Sequence, residues 1–236
     1  MSAMSRNDDL PRSPALDWAR ISTVLLDMDG TLLDLHFDNY FWLEHVPRRL
    51  AQARGMDEAE AHAFVRERTA AVRGRLVWYC LDYWSRELDL DIVALKREVM
   101  HLIAVHQHAE AFLAALRESG RRVMLVTNAH RGSLDLKLER TGIGAHFHRL
   151  VSAHDLGRAK EEPGFWEALR VREGYAPGET LLVDDNLDVL RSARDFGIAH
   201  LRAVRRPDTR RSEVDTGEFV GIGDFRELGI EVRSRK

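Results

Sequence analysis

The stretch VLLDMDGTLLD, residues 24–34, sets an unbroken apolar run against three acids, Asp27, Asp29 and Asp34. The run reads as a buried strand, and one Asp before a Gly would be an ordinary turn signal. Three acids exceed what a turn needs. Carboxylates held together repel and raise one another's pKa, so the cluster implies a cation or a shared proton.

Outward from that stretch, four more short apolar runs read as buried strands: RRVMLVT from Arg121, HRLVSA from His148, ETLLVDD from Glu179 and AHLRAV from Ala199. None alternates apolar with polar residues, which predicts a sheet covered on both faces. Helical patterns lie between them. AEAFLAALRESG, SLDLKLERTG, FWEALRVREG and NLDVLRSARDFG carry apolar residues at three- and four-residue spacing and stop at Gly120, Gly142, Gly174 and Gly197. Strand and helix therefore alternate, and the expected fold is α/β, a doubly wound parallel sheet. The connection between the first two strands is far too long for a simple crossover. It reads as helices, with FDNYFWLEHVPRRLAQARG, EAEAHAFVRERTAAVRGRL and WYCLDYWSREL as candidates. The expected organisation is a loose N-terminus over 1–16, an α/β core from 17–35 and 109–236, and an inserted helical domain over 36–108.

Composition narrows the class. The chain has 236 residues, 44% hydrophobic and 31% charged, as in ordinary globular proteins. A formal net charge of -3 gives no general attraction to nucleic acid. The basic run RAVRRPDTRR is a local exception, to be read as a solvated loop or as a contact for an anion. The single cysteine, Cys80, excludes an intramolecular disulfide and reads as a core residue in a reducing compartment. No apolar run approaches the length of a membrane helix and the N-terminus lacks a signal-type apolar region, so the expected location is cytoplasmic. His106 and His108 form an HxH pair without a neighbouring ligand cluster and read as linker.

In an open parallel sheet, ligands gather beyond the carboxyl ends of the strands. Strand one delivers Asp27 and Asp29, strand two Thr127 and Asn128, strand four Asp184 and Asp185, and Lys160 follows strand three by a short loop. An oxygen-rich set of this kind suits a hard cation, and Mg2+ is expected because it accepts a few carboxylates together with water and substrate phosphate.

DMDGT, VTNAH, GRAKEEP and VDDNLD resemble, in order, the four motifs of the haloacid dehalogenase superfamily of phosphatases, and the long helical insert resembles its cap. The resemblance covers about residues 17–206. LLDMDGTLLDLHFDNYFW, WYCLDYWSRELDLDI and TNAHRGSLDLKLERTG further resemble the bacterial GMP/IMP nucleotidases of that superfamily. The resemblance implies a Mg2+-dependent hydrolase of purine nucleoside 5′-monophosphates, with Asp27 as nucleophile and Asp29 as proton donor and acceptor. It also implies a metal held by Asp27, the backbone carbonyl of Asp29, Asp184 and Asp185, and an anion cradle of Thr127 and Lys160. Asp185 stands either as a direct ligand or behind one, and Asn128 either touches substrate or fixes its loop. A sugar-phosphate phosphatase or phosphomutase of the same fold is the alternative, ahead of a haloacid dehalogenase or a non-catalytic binding protein. Asp34 reads as structural. Of the insert's aromatics, most are expected to form its core and one or two to stack on a base.

Overall fold

The structure is a computed structural model that describes residues 15–230. Nearly all of the segment read as a loose N-terminus, residues 1–14, lies outside the described residues. Six strands form one parallel sheet in the order β3-β2-β1-β4-β5-β6: β1 Thr23–Leu26, β2 Arg122–Thr127, β3 Arg149–Ser152, β4 Thr180–Asp184, β5 His200–Val204 and β6 Gly221–Ile222. The sixth strand was not expected. It is two residues long, pairs with Ala203 and Val204, and leads into a 3-10 turn at Phe225–Leu228.

Successive strand residues feed opposite layers, which explains the missing alternation. Val24 and Leu26 join Val123, Leu125, Leu181 and Val183 in one core cluster, while Leu25, Met124, Val126 and Leu182 join a second one. All four residues of β1 are buried because helices cover both faces.

The connection from β1 to β2 folds as helices α1 His36–Tyr40, α2 Val46–Arg54, α3 Glu58–Val72, α4 Leu81–Leu88, α5 Ile92–Glu98 and then α6 Ala109–Glu118. Beyond β2 come α7 Arg131–Thr141, α8 Phe165–Glu173 and α9 Leu187–Phe196. The first insert helix, expected to be continuous to Gly55, is interrupted by a π-helical turn at Phe41–His45. The helix expected from Trp78 begins only at Leu81, because Leu76–Tyr79 form a 3-10 turn. Cys80 is half-buried rather than a core residue. Among the described residues, no helix is long and apolar enough to cross a membrane.

The chain enters and leaves the insert through one narrow ribbon. Asp34 N donates to Ala104 O at 2.9 Å, His106 N donates to Leu32 O at 2.9 Å, and Leu33 and Val105 form an antiparallel bridge between them. The basic run near the C-terminus straps this ribbon. Pro207 O accepts from Leu35 N at 2.8 Å and lies 3.1 Å from His106 Nε2, and Asp208 accepts from Asn39 at 2.7 Å. Asp34 caps His36 N at 2.9 Å and Thr209 N at 3.2 Å, a structural role. His108 Nδ1 lies 2.8 Å from Asp224, tying the linker to the last turn.

Candidate active site

β1 and β4 are neighbours, so the residues that leave their carboxyl ends meet. Carboxylate oxygens of Asp27, Asp184 and Asp185 lie within 4.8 Å of one another. The ammonium of Lys160 sits between two of them, 2.5 Å from Asp27 Oδ1 and 2.6 Å from Asp184 Oδ2, and also donates to Val126 O at 3.2 Å. Three carboxylates against one ammonium, -3 + 1, leave a formal charge of -2 in a buried place. Hard oxygen donors carrying that surplus fit a divalent cation with open positions for water and phosphate.

The loop after β1 needs its glycine for a spatial reason. Gly30 has φ +82, and a Cβ there would lie 2.5 Å from Asp185 Oδ2. Only a residue without a side chain lets the backbone pass so close to the carboxylate while adopting the left-handed region.

Burial dominates the electrostatics. It pushes Asp27 up to about 7 against the pull of Lys160, and Asp184 adds to the rise. Burial likewise raises Asp184, and it raises Asp185 well above the usual range with help from Asp27 and Asp184. For Lys160 burial works downward, but Asp184 and Asp27 outweigh it and hold the ammonium firmly charged.

Each expected site residue has a definite place. Thr127, at the end of β2, is buried, and its Oγ1 accepts from Ala129 N at 3.0 Å. Asn128 fixes the loop: its Oδ1 accepts from Lys160 N at 2.8 Å and its Nδ2 donates to Glu161 Oε2 at 2.8 Å. Asp188 borders the cavity above the site and is exposed and paired with Arg191. The side chain of Asp29 is outside the carboxylate cluster and accepts from Lys137 Nζ at 2.6 Å. Burial raises Asp29 to about 6 although Lys137 lowers it.

Three residues around the site were not foreseen: Lys137, Asp38 and Lys96. Lys137 and Lys96 lie on the buried stripes of α7 and α5, beside Leu134 and Ile92. A lysine at helical spacing among apolar residues was the available signal. Glu161 is a further unforeseen hub. It accepts from Tyr79 Oη at 2.7 Å and Asn186 Nδ2 at 3.0 Å, linking the insert to the loop that carries Lys160.

Above these groups opens a cavity of about 980 Å³, floored by Asp27, Thr127 and Lys160 and walled by Trp42, Arg66 and Trp78 of the insert. The π-helical turn puts Trp42 and Leu43 on this wall.

Residues 21–197 match the model of the haloacid dehalogenase-like hydrolases. The chain is 41% identical over 211 residues to the GMP/IMP nucleotidase YrfG of Escherichia coli, covering 89% of this chain and 95% of that protein. It is 24% identical to the pyrophosphatase PpaX of Bacillus velezensis over 75% of this chain and 81% of that one. Among solved structures, a HAD phosphatase from Thermococcus onnurineus superposes with TM-score 0.75 at 24% identity, covering 88% of this chain and 96% of that chain. The motif match across three quarters of the chain, on a sheet that brings those motifs to one edge, places the chain among the haloacid dehalogenase-like hydrolases.

Proposed function

We propose that this hydrolase is a Mg2+-dependent 5′-nucleotidase acting on purine nucleoside 5′-monophosphates, GMP and IMP first, through an aspartyl-phosphate at Asp27. The observation that carries the substrate is the 41% identity to a GMP/IMP nucleotidase over 95% of that protein's length, insert included. In this reading residues 17–35 and 109–236 are the catalytic core and 36–108 the cap. The lone Cys80 and the absence, among the described residues, of a membrane-crossing helix support a cytoplasmic enzyme.

Asp27 attacks the phosphorus in line, splitting one hard hydrolysis into two easier steps. Asp29 donates its proton to the leaving 5′ oxygen and later takes one from the attacking water; burial, which raises it to about 6, favours the protonated start. Lys160 and Thr127 bind the phosphoryl oxygens, and Asn128 holds Lys160 in place through its backbone N. Asp27, Asp184, Asp185 and the carbonyl of Asp29 are the groups that would hold Mg2+. The bound ion would neutralise the phosphoryl oxygens and return the buried carboxylates to their anionic form. Aromatic residues on the cavity wall, Trp42 and Trp78, offer faces for the base.

The test is phosphate release from GMP, IMP, AMP, CMP and hexose phosphates, with Mg2+ and with chelator. GMP and IMP share a 6-oxo group and a protonated N1, and AMP reverses the hydrogen-bond character at both. Each unpaired buried group costs ~1–3 kcal/mol, so kcat/KM for IMP and GMP should exceed that for AMP by about tenfold or more. Similar kcat/KM on AMP, CMP and IMP, or a preference for a hexose phosphate, would overturn the substrate. Turnover in chelator would overturn the metal.

A further inference from the structure

Asp29 stands at one end of a file of alternating charge that leads out of the core. Lys137 Nζ donates to Asp29 Oδ1 and to Asp38 Oδ2, each at 2.6 Å, and Lys96 Nζ donates to Asp38 Oδ1 at 2.9 Å. The file begins in the loop after β1, passes through α7 and α1, and ends on α5 of the insert. The two lysine side chains are 1% and 2% exposed. The Lys96 ammonium also lies over the rings of Phe41 and Phe37, 4.4 and 4.8 Å from their centroids.

Stability does not account for this arrangement. Taking a lysine out of water costs several kcal/mol, and well-packed apolar residues often replace buried ion pairs with no loss. The file has a different property: among the described residues, Lys137 is the hydrogen-bond partner of the Asp29 carboxyl. A carboxyl that must meet a leaving oxygen within hydrogen-bond reach needs a fixed direction, and Lys137 is the group that fixes it.

We propose that Lys137 is a positioning residue for the reaction, aiming the Asp29 carboxyl at the leaving oxygen, and that Asp38 and Lys96 carry this hold into the insert. The seat of the insert thereby sets where Asp29 points.

The inference rests on the reading of Asp29 as proton donor, and the test separates the two. kcat/KM is measured for IMP, whose alkoxide leaving group needs a proton, and for 4-nitrophenyl phosphate, whose weakly basic leaving group does not. This parameter covers the steps up to leaving-group departure, so hydrolysis of the phosphoaspartate, common to both substrates, does not enter. Asp29→Asn is the reference and should raise the aryl-to-IMP ratio by about a hundredfold or more. Lys137→Met should raise it by about tenfold or more, and Asp38→Asn and Lys96→Met by a few fold. If Asp29→Asn moves the ratio and Lys137→Met lowers both substrates equally or neither, the positioning role is overturned. If Asp29→Asn leaves the ratio unmoved, the proton-donor reading itself is overturned. Should Lys137→Met fail to fold, the near-isosteric Asp38→Asn decides, and an unmoved ratio there overturns the proposal.

Discussion

Two buried lysine centres lie side by side in this molecule, and they are balanced differently. Around Lys160 three carboxylates face one ammonium, while around Lys137 and Lys96 two carboxylates face two ammoniums. Burial pushes Asp27 up to about 7 in the first centre, where one lysine cannot offset it. In the second, burial again acts upward on Asp38, yet Lys137 and Lys96 together hold it at about 2. Asp29, which meets Lys137 alone, is still raised to about 6, so the outcome follows how many ammoniums each carboxylate touches. A centre with surplus negative charge can take a cation from outside, whereas a balanced one is satisfied by its own members and holds them in place.

Replacing Asp27, the proposed nucleophile, gives the largest expected effect. Asp27→Asn should lower kcat by about a thousandfold or more, because an amide does not attack phosphorus. In metal-free buffer the same variant should melt no lower than the wild type, since one of three crowded carboxylates has lost its charge. Retention of a tenth of the activity, or a lower melting temperature without metal, would break the contrast between the centres.

A smaller loss is expected from Gly30→Ala. Its Cβ would meet Asp185 Oδ2 at 2.5 Å, so the carboxylate must move. A displacement near 1 Å can cost ~10²-fold, so kcat/KM should fall by about ten- to a hundredfold with a weakened Mg2+ dependence. Wild-type kinetics in this variant would show that Asp185 takes no part in the charged centre.

The gentlest probe is pH. Asp27 at about 7 and Asp29 at about 6 both stand above the ordinary 3.8, so the folded protein binds more protons than the unfolded chain between those values. Stability from these two groups therefore falls as pH rises from about 4 to about 7. Asp38 has the reverse sign, contributing stability above 3.8 that is lost as pH falls towards 2. Mg2+ at a hundred times its Kd contributes ~2.7 kcal/mol, or about 5–10 °C in Tm for a chain of this size. That shift should appear at pH 8 and shrink by at least half at pH 5, where protons compete for the same oxygens. Equal shifts at both pH values in thermal melts would remove the charge surplus as the reason for metal binding.

The charge-rich centre was legible in the sequence and the neutral one was not, for a physical reason. A parallel sheet brings every strand's carboxyl end to one edge, so acids written directly after apolar runs, such as Asp27 and Asp184, are placed by topology alone. Lys137 and Lys96 sit on helices, where spacing identifies the buried face through its apolar members and a lysine is taken for a solvated one. Their carboxylate partners come from distant elements, Asp29 and Asp38, which no periodicity connects. The π-helical turn at Phe41–His45 was hidden because one extra residue per turn leaves no mark in a pattern of apolar spacing. β6 escaped because two residues are too few to show any period at all.

The ribbon that carries the chain into and out of the insert has a consequence for how this architecture can change. Asp34 and Ala104 are hydrogen-bonded neighbours, so some seventy residues hang from two adjacent points of the core. A segment attached in that way can be lengthened, shortened or exchanged without altering the register of any strand. The sheet edge can thus stay constant through descent while the roof above it is replaced. Asp34 and Ala104 are accordingly the natural points for grafting another roof onto this core. The replacement must bring its own counterparts of Asp38 and Lys96 if it is to keep its hold on Lys137.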